Sequence, residues 1–158
     1  MIEIPQYMRH NIEIKLHQND KWLMPYRAHP TDAGADLTSI ADHIIYPGDK
    51  AMVDTGVSIR IPLGYAGLVY NRSSQGKVRV SLANSVGVID TSYRGNIKVL
   101  LVNEGEDPYV IANRSTRIAQ LVITPCLLAE FSPWEATHKD KEWEDTDRGV
   151  GGFGSTGT

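Results

Sequence analysis

Residues 148–158, RGVGGFGSTGT, combine one arginine, five glycines, one phenylalanine and one serine, with only valine and threonine besides. So little apolar surface cannot offset the entropy of ordering a chain, so the stretch orders only against something else. Its groups suit a nucleotide. Arg148 matches phosphate charge, the glycine N–H groups match phosphate oxygens, Phe153 offers a face to a base, and Ser155 and Thr156 are hydroxyl donors. Residues 149–154 also spell G-x-G-x-x-G. That fingerprint works only between a strand and a helix whose N-terminus holds a pyrophosphate, and no helix-forming run follows it, so a dinucleotide fold is not expected. On composition alone the same stretch also fits a disordered tail.

Four further clusters carry chemistry, each at a turn. DAGADL at 32–37 crowds small residues around Asp32 and Asp36; a tight turn with backbone N–H groups bonded to either carboxylate also satisfies that pattern. NRSSQG at 71–76 follows the strand-like YAGLVY. Ser73 and Ser74 there could cap a short helix, while Arg72 beside two hydroxyls and free backbone N–H groups is equally a phosphate cradle. NSVGVIDTSYRG at 84–95 reads as a hairpin arm at 87–89, with Asp90 at its end and Tyr93 three residues on. With no ligand, Asp90 would be a turn former and Tyr93 a core aromatic with its hydroxyl at the surface. In RIAQL at 117–121, Arg117 and Gln120 interrupt an apolar strand, where polar residues ordinarily face solvent.

The elements that must position these clusters are short strands. Apolar residues alternate at Ile12, Ile14 and Leu16, again at Val57, Ile59 and Ile61, and a strand-like run extends from Ile118 through Leu121 to Ile123. Gly and Pro punctuate the chain at strand-like intervals, and the apolar run 97–102 suits a strand covered on both faces. The one helix candidate, roughly 73–83, is weakened by Gly76 and the β-branched Val78 and Val80. An all-β sandwich or barrel is expected. Beyond Pro125 the character changes: residues 135–147 hold six acids against two lysines and no apolar period, which predicts a solvated arm. At 158 residues, 41% hydrophobic and 22% charged, the chain is sized for one domain with a proper core. Its net charge of −3 argues against general nucleic-acid or membrane-surface binding. No apolar run approaches the ~18 residues of a membrane span, and no signal peptide is expected. The single Cys126 allows no internal disulfide and suits a reducing cytoplasm. The histidines show no zinc-ligand spacing.

In chain order, DAGADL, RSS, GVIDTSYRG, RIAQL and RGVGGFGSTG resemble the five motifs of the trimeric dUTP pyrophosphatase (dUTPase) family. The linking IPLGYAGLVYNRSS resembles that family's strand into its second motif, so the likeness covers residues from about 12 to 158. It implies one all-β domain, a β-barrel or jelly-roll subunit of a homotrimer. The core would be about 12–125, the charged arm about 126–147 and the mobile C-terminal motif 148–158. It further implies hydrolysis of dUTP to dUMP and pyrophosphate, which limits uracil incorporation into DNA and supplies dUMP for dTMP synthesis.

By the same resemblance Asp90 orients and deprotonates the water that attacks the α-phosphorus. Mg²⁺ would sit on the three phosphates with no direct protein ligand, Asp36 holding one of its waters. Arg72, Ser73, Ser74 and Gln120 would line the phosphates; Arg148, Ser155 and Thr156 would close over them and Phe153 over the uracil. Asn84, Gly87, Val88 and Ile89 would read the base, and Tyr93 under the sugar would exclude a 2′-hydroxyl. Sites would be shared among three subunits. The chain departs from the family at Asn71, where proline, glycine or alanine is more frequent, and at Asn96, which stands for a frequent glutamate. A glycine common shortly before the third motif is also lacking in KVRVSLAN. The alternatives are a dCTP deaminase or bifunctional relative, which would need a glutamate absent from 84–95, and a dUTPase-like protein with an added regulatory, protein-binding role.

Overall fold

The computed structural model describes residues 11–138, 142–143 and 146–151. The chain divides into two compact units, Met1–Leu127 and Leu128–Thr158. The first is built of antiparallel strands: β1 (Glu13–Leu16), β2 (Ala35–Thr38), β3 (His43–Ile45), β4 (Lys50–Asp54), β5 (Val57–Arg60), β6 (Tyr65–Tyr70), β7 (Val80–Leu82), β8 (Gly87–Ile89), β9 (Lys98–Asn103), β10 (Tyr109–Ile111) and β11 (Arg117–Pro125). The single α-helix among the described residues of this unit, α1 (Ser73–Lys77), follows β6. The strands form a four-stranded sheet in the order β2-β11-β6-β8, a three-stranded sheet β4-β9-β7, and the pairs β1-β5 and β10-β3. The all-β expectation holds.

One apolar core joins all four sheets. Leu37 of β2, Ile118 of β11, Val53 of β4, Leu101 of β9, Val57 of β5 and Ile111 of β10 are completely buried together. Each such side chain contributes about 1.5–3 kcal/mol of transfer free energy, so the alternating positions legible in the sequence are those that hold the sheets face to face. Two expectations change. The helix over 73–83 stops at Lys77, because Val78 closes it and Arg79 takes a φ of 53°; the chain then enters β7. The run 97–102 is not covered on both faces: Val99 and Leu101 point into the core, while Leu100 and Val102 are half-buried on the other side.

The end of β9 is held by a polar residue. Asn103 is fully buried. Its Nδ2 donates to the carbonyls of Ile45 and Asp107, both at 2.8 Å, and its Oδ1 accepts from Gly105 N at 2.9 Å. One amide thus ties β9 to β3 and closes the turn at 104–108.

In the second unit, α2 (Trp134–Thr137) opens a small aromatic cluster. The Trp134 and His138 rings stack at 3.9 Å, and Trp143 meets Trp134 edge-on at 5.0 Å. The sequence predicts a purely solvated arm here; three aromatic rings spaced by charged residues instead pack on one another locally.

Asn103→Ala would leave two carbonyls and one N–H without their partner in the interior. The substitution should lower the unfolding free energy by about 3 kcal/mol, measured by urea denaturation. An unchanged midpoint would contradict the role given to this amide.

Candidate active site

In β2, Ala35 and Leu37 face the core, so Asp36 must face outward. Its backbone exchanges two hydrogen bonds with Tyr26, at 3.1 and 2.7 Å, which covers the free edge of β2. The Asp36 carboxylate, only 16% exposed, lies between two guanidinium groups. Arg72 Nε donates to Oδ1 at 2.6 Å, and Arg117 Nη1 donates to Oδ2 at 3.1 Å. Arg72 also donates through Nη1 to Ser74 Oγ at 3.2 Å. Beside this triad opens a cleft of about 330 Å³, lined among others by Tyr26, Gly34, Asp36, Arg72, Ser73, Arg117 and Gln120. Partly exposed ion pairs contribute only about 0–1 kcal/mol to stability. What the clamp supplies is orientation: two guanidiniums held at fixed angles with donors to spare, suited to phosphate oxygens.

Arg72 and Gln120 come from neighbouring segments joined through Asn71. The Asn71 side chain donates to Val80 O at 3.2 Å and accepts from Leu82 N at 2.9 Å, linking the end of β6 to β7. Its backbone carbonyl accepts from Gln120 Nε2 at 2.7 Å. The departure from the family at Asn71 is therefore structural: its amide bridges two sheets.

Arg117 and Gln120 are three residues apart, so a regular strand would send them to opposite faces. The register of β11 against β2 slips between them: Arg117 faces Thr38 and Ala119 faces Leu37, two residues opposite one. This bulge puts Ile118 and Ala119 both into the core and returns Arg117 to the face of Gln120. The sequence reading gave Arg117 no role of its own, and Tyr26 none at all. The available signal was the apolar pair Ile118-Ala119 inside an otherwise alternating strand.

The third cluster lies elsewhere. β8 is not half of a hairpin. The preceding strand β7 belongs to the other sheet, and β8 pairs with β6 through Gly67↔Ile89 and Val69↔Gly87. The chain crosses between sheets through a tight turn in which Val86 N donates to Asn84 O at 2.7 Å and Ser85 has a φ of 62°. A Cβ on Gly87 would come within 3.1 Å of Val69, so glycine lets β8 lie close on β6. Val88 and Asp90 are exposed at that edge, and Ile89 is half-buried. Tyr93 is fixed at both ends: its N–H bonds to Asp90 O at 3.1 Å, and its hydroxyl donates to Asn96 O at 2.8 Å. Gly95 makes this possible, since a Cβ there would lie 2.6 Å from the Tyr93 hydroxyl. Asn96, where the family more often has glutamate, accepts from Ser58 Oγ at 2.9 Å and donates to Asp54 at 3.3 Å.

The chain thus brings Asp36, Arg72, Ser73, Ser74 and Gln120 together. Asn84, Gly87, Val88, Ile89, Asp90 and Tyr93 lie on or beside β8 and do not line the cleft; Asp90 follows Ile89, which pairs with Gly67 near the start of β6, whereas Arg72 follows the other end of that strand. Arg148 is in the second unit, where its Nε donates to Gly151 O at 3.0 Å within a turn. Phe153, Ser155 and Thr156 lie outside the described residues.

Among the described residues no group of three or more His, Cys, Asp or Glu side chains converges as a metal site. The donors fit a hard cation that takes its ligands mainly from phosphates and water, with Asp36 keeping lone pairs beyond those its arginines use.

Known proteins resemble this chain in sequence and in fold. The family model described as dUTPase matches residues 20–157. The deoxyuridine 5'-triphosphate nucleotidohydrolase of Cutibacterium acnes is 47% identical over 135 residues, 85% of this chain and 85% of that protein. Its namesake from Corynebacterium glutamicum is 44% identical over 146 residues, 91% of this chain and 94% of that one. Among solved structures, a mutant dUTPase of Staphylococcus bacteriophage 80alpha with dUpNHpp superposes with a TM-score of 0.78 at 28% identity, covering 95% of this chain and 100% of that one. A mutant dUTPase from phage phi11 of S. aureus, described with a structural Mg(II) ion, gives 0.72 at 27% identity, covering 82% and 99%.

Gly34 tests the cleft's packing, because a Cβ there would lie 2.3 Å from Gln120 Oε1 and 3.1 Å from its Cβ. Gly34→Ala should turn the Gln120 amide off Asn71, lower the unfolding free energy by about 1 kcal/mol and weaken pyrophosphate binding. Calorimetry matching the unsubstituted protein would contradict this packing.

Proposed function

This chain belongs to the dUTPase family, and we infer from that membership that it is a dUTP diphosphatase, an enzyme hydrolysing dUTP to dUMP and pyrophosphate. The observation that carries the reading is the Asp36 clamp, in which residues of the first, second and fourth motifs line one polar cleft.

The phosphates would lie against Arg72, Ser73, Ser74 and Gln120, with Arg117 as a further cation. Mg²⁺ is the cofactor; bound on the triphosphate it neutralises phosphate charge, and Asp36 would hold one of its waters. Asp90 would orient the attacking water and take its proton as the bond to the α-phosphorus forms and the bond to the bridging oxygen breaks, releasing pyrophosphate. A carboxylate is a weak base at neutral pH, so in-line placement and charge neutralisation carry most of the acceleration. Removing one preorganised donor then costs on the order of 3 kcal/mol in the transition state. Asn84 and the backbone of 87–89 would read uracil. Cytosine reverses the donor and acceptor pattern and would leave those groups unpaired, a difference of roughly 10⁴-fold. Tyr93, held at both ends, suits a rigid floor under deoxyribose.

The separation of these residues, with Asp90 beyond the Gly67 end of the β6–β8 pairing and Arg72 beyond the other end of β6, supports a trimer in which each site draws the phosphate cleft from one protomer and Asp90 with Tyr93 from another. Arg148, Phe153, Ser155 and Thr156 would come from a third segment and close over the nucleotide. The chain would thus act as one domain with an arm at about 126–147. No helix among the described residues is long and apolar enough to cross a membrane, and the lone Cys126 supports a cytoplasmic setting.

Asp90→Asn should leave dUTP binding within about threefold while turnover falls by on the order of 10³-fold or more, read from pyrophosphate release in Mg²⁺. Comparable turnover would remove Asp90 from its role. Tyr93→Ala should raise the ratio of UTP to dUTP cleavage; an unchanged ratio would clear the ring of sugar discrimination.

A further inference from the structure

The exposed apolar residues Ile44, Tyr46 and Val110 lie on or beside the β3–β10 ribbon, but nothing indicates what would cover them. A better-supported inference lies beneath the phosphate cleft. Gln75 is only 2% exposed, within a short helix that otherwise presents hydroxyl, glycine and lysine residues to solvent. Its Oε1 accepts the backbone N–H of Arg72 at 2.9 Å, and its Nε2 donates to the carbonyl of Ile118 at 2.9 Å. Arg72 is the residue at which β6 gives way to α1, and Ile118 is the extra residue of the β11 bulge, with none opposite it on β2.

The pairing of β6 with β11 ends at Tyr70↔Gln120. Beyond that point β6 no longer runs alongside 117–118. The Gln75 amide takes the place of a ladder partner there, donating to β11 as a backbone N–H would. With its other end it fixes the backbone from which the Arg72 guanidinium extends. One buried side chain therefore sets the backbones that present the two arginines closing on Asp36 from either side.

We propose that Gln75 is a positioning residue, which holds Arg72 and Arg117 in register on Asp36 and so aligns the phosphate side of the site. It touches neither substrate nor metal and acts only through these arginines. The proposal rests on the dUTP diphosphatase reading given above. An apolar residue of the same size would fill the space yet release both backbones. The arginines would then still be present but no longer aligned with each other, and the uracil side, on and beside β8, would be untouched.

The test is Gln75→Met, which keeps volume and removes both hydrogen bonds. It is compared with the unsubstituted protein in steady-state dUTP hydrolysis with Mg²⁺ and in inhibition by 2′-deoxyuridine, a ligand without phosphate. Turnover should fall on the order of 10- to 100-fold while the deoxyuridine inhibition constant moves by less than about twofold. Because an inhibition constant does not register how much protein is folded, turnover is expressed per deoxyuridine-binding site counted by calorimetry. Turnover per site equal to that of the unsubstituted protein, or a deoxyuridine constant weakened in step with turnover, overturns the proposal. Should the variant fail to fold, amide exchange in the unsubstituted protein decides. The Arg72 N–H, bonded to a buried oxygen, should exchange more slowly than those of Ser73 and Ser74, and equal rates overturn the proposal. Failure of the unsubstituted protein to release pyrophosphate from dUTP would instead refute the functional reading, and the exchange rates would then decide separately whether Gln75 clasps the two backbones.

Discussion

A single carboxylate held between two guanidinium groups is the constraint on which this site depends. Asp36 sits 2.6 Å from Arg72 and 3.1 Å from Arg117, three residues from three separate segments of the chain. Two like charges converge on such a spot only if something negative lies between them and the backbone leaves each side chain little choice of direction. Asp36 meets the first requirement. The second is met by the Tyr26 bridge over the edge of β2, the capped start of α1 and the bulge in β11.

That geometry suits a reaction in which there is little covalent chemistry for the protein to perform. Triphosphate hydrolysis asks for charge neutralisation and alignment, and water would have to reorganise to supply what fixed guanidiniums present at once. Asp90, the carboxylate proposed to handle the proton, follows β8 and does not line this cleft. The proposed sharing of a site across copies would turn that separation into a coupling between assembly and activity. It would also let base reading and phosphate handling rest on separate pieces of rigid sheet.

Polar residues that look like departures from the family have structural employment. Asn71 joins β6 to β7 through both ends of its amide, and Asn96 links Ser58 to Asp54 beneath the Tyr93 turn. Neither removes a group the chemistry needs. The absence of glutamate from 84–95 continues to disfavour a deaminase, which would need a proton shuttle in that stretch.

Much of this was legible in one dimension. Period-two alternation exposed the strands because burying one face of a sheet forces it, and the clustered Asp, Arg, Ser and Gly marked candidate positions, of which Asp36, Arg72 and Ser73 meet in one cleft. What sequence could not reveal was where local periodicity is broken by pairing. The slip at Ile118 reverses which face Arg117 occupies, and residues 87–89 join β6 rather than a sequence neighbour. Gln75, an ordinary polar residue in a short helix, becomes an interior clasp. Such outcomes depend on which segments lie alongside one another, a choice made by the packing of the whole core and recorded in no single stretch of residues.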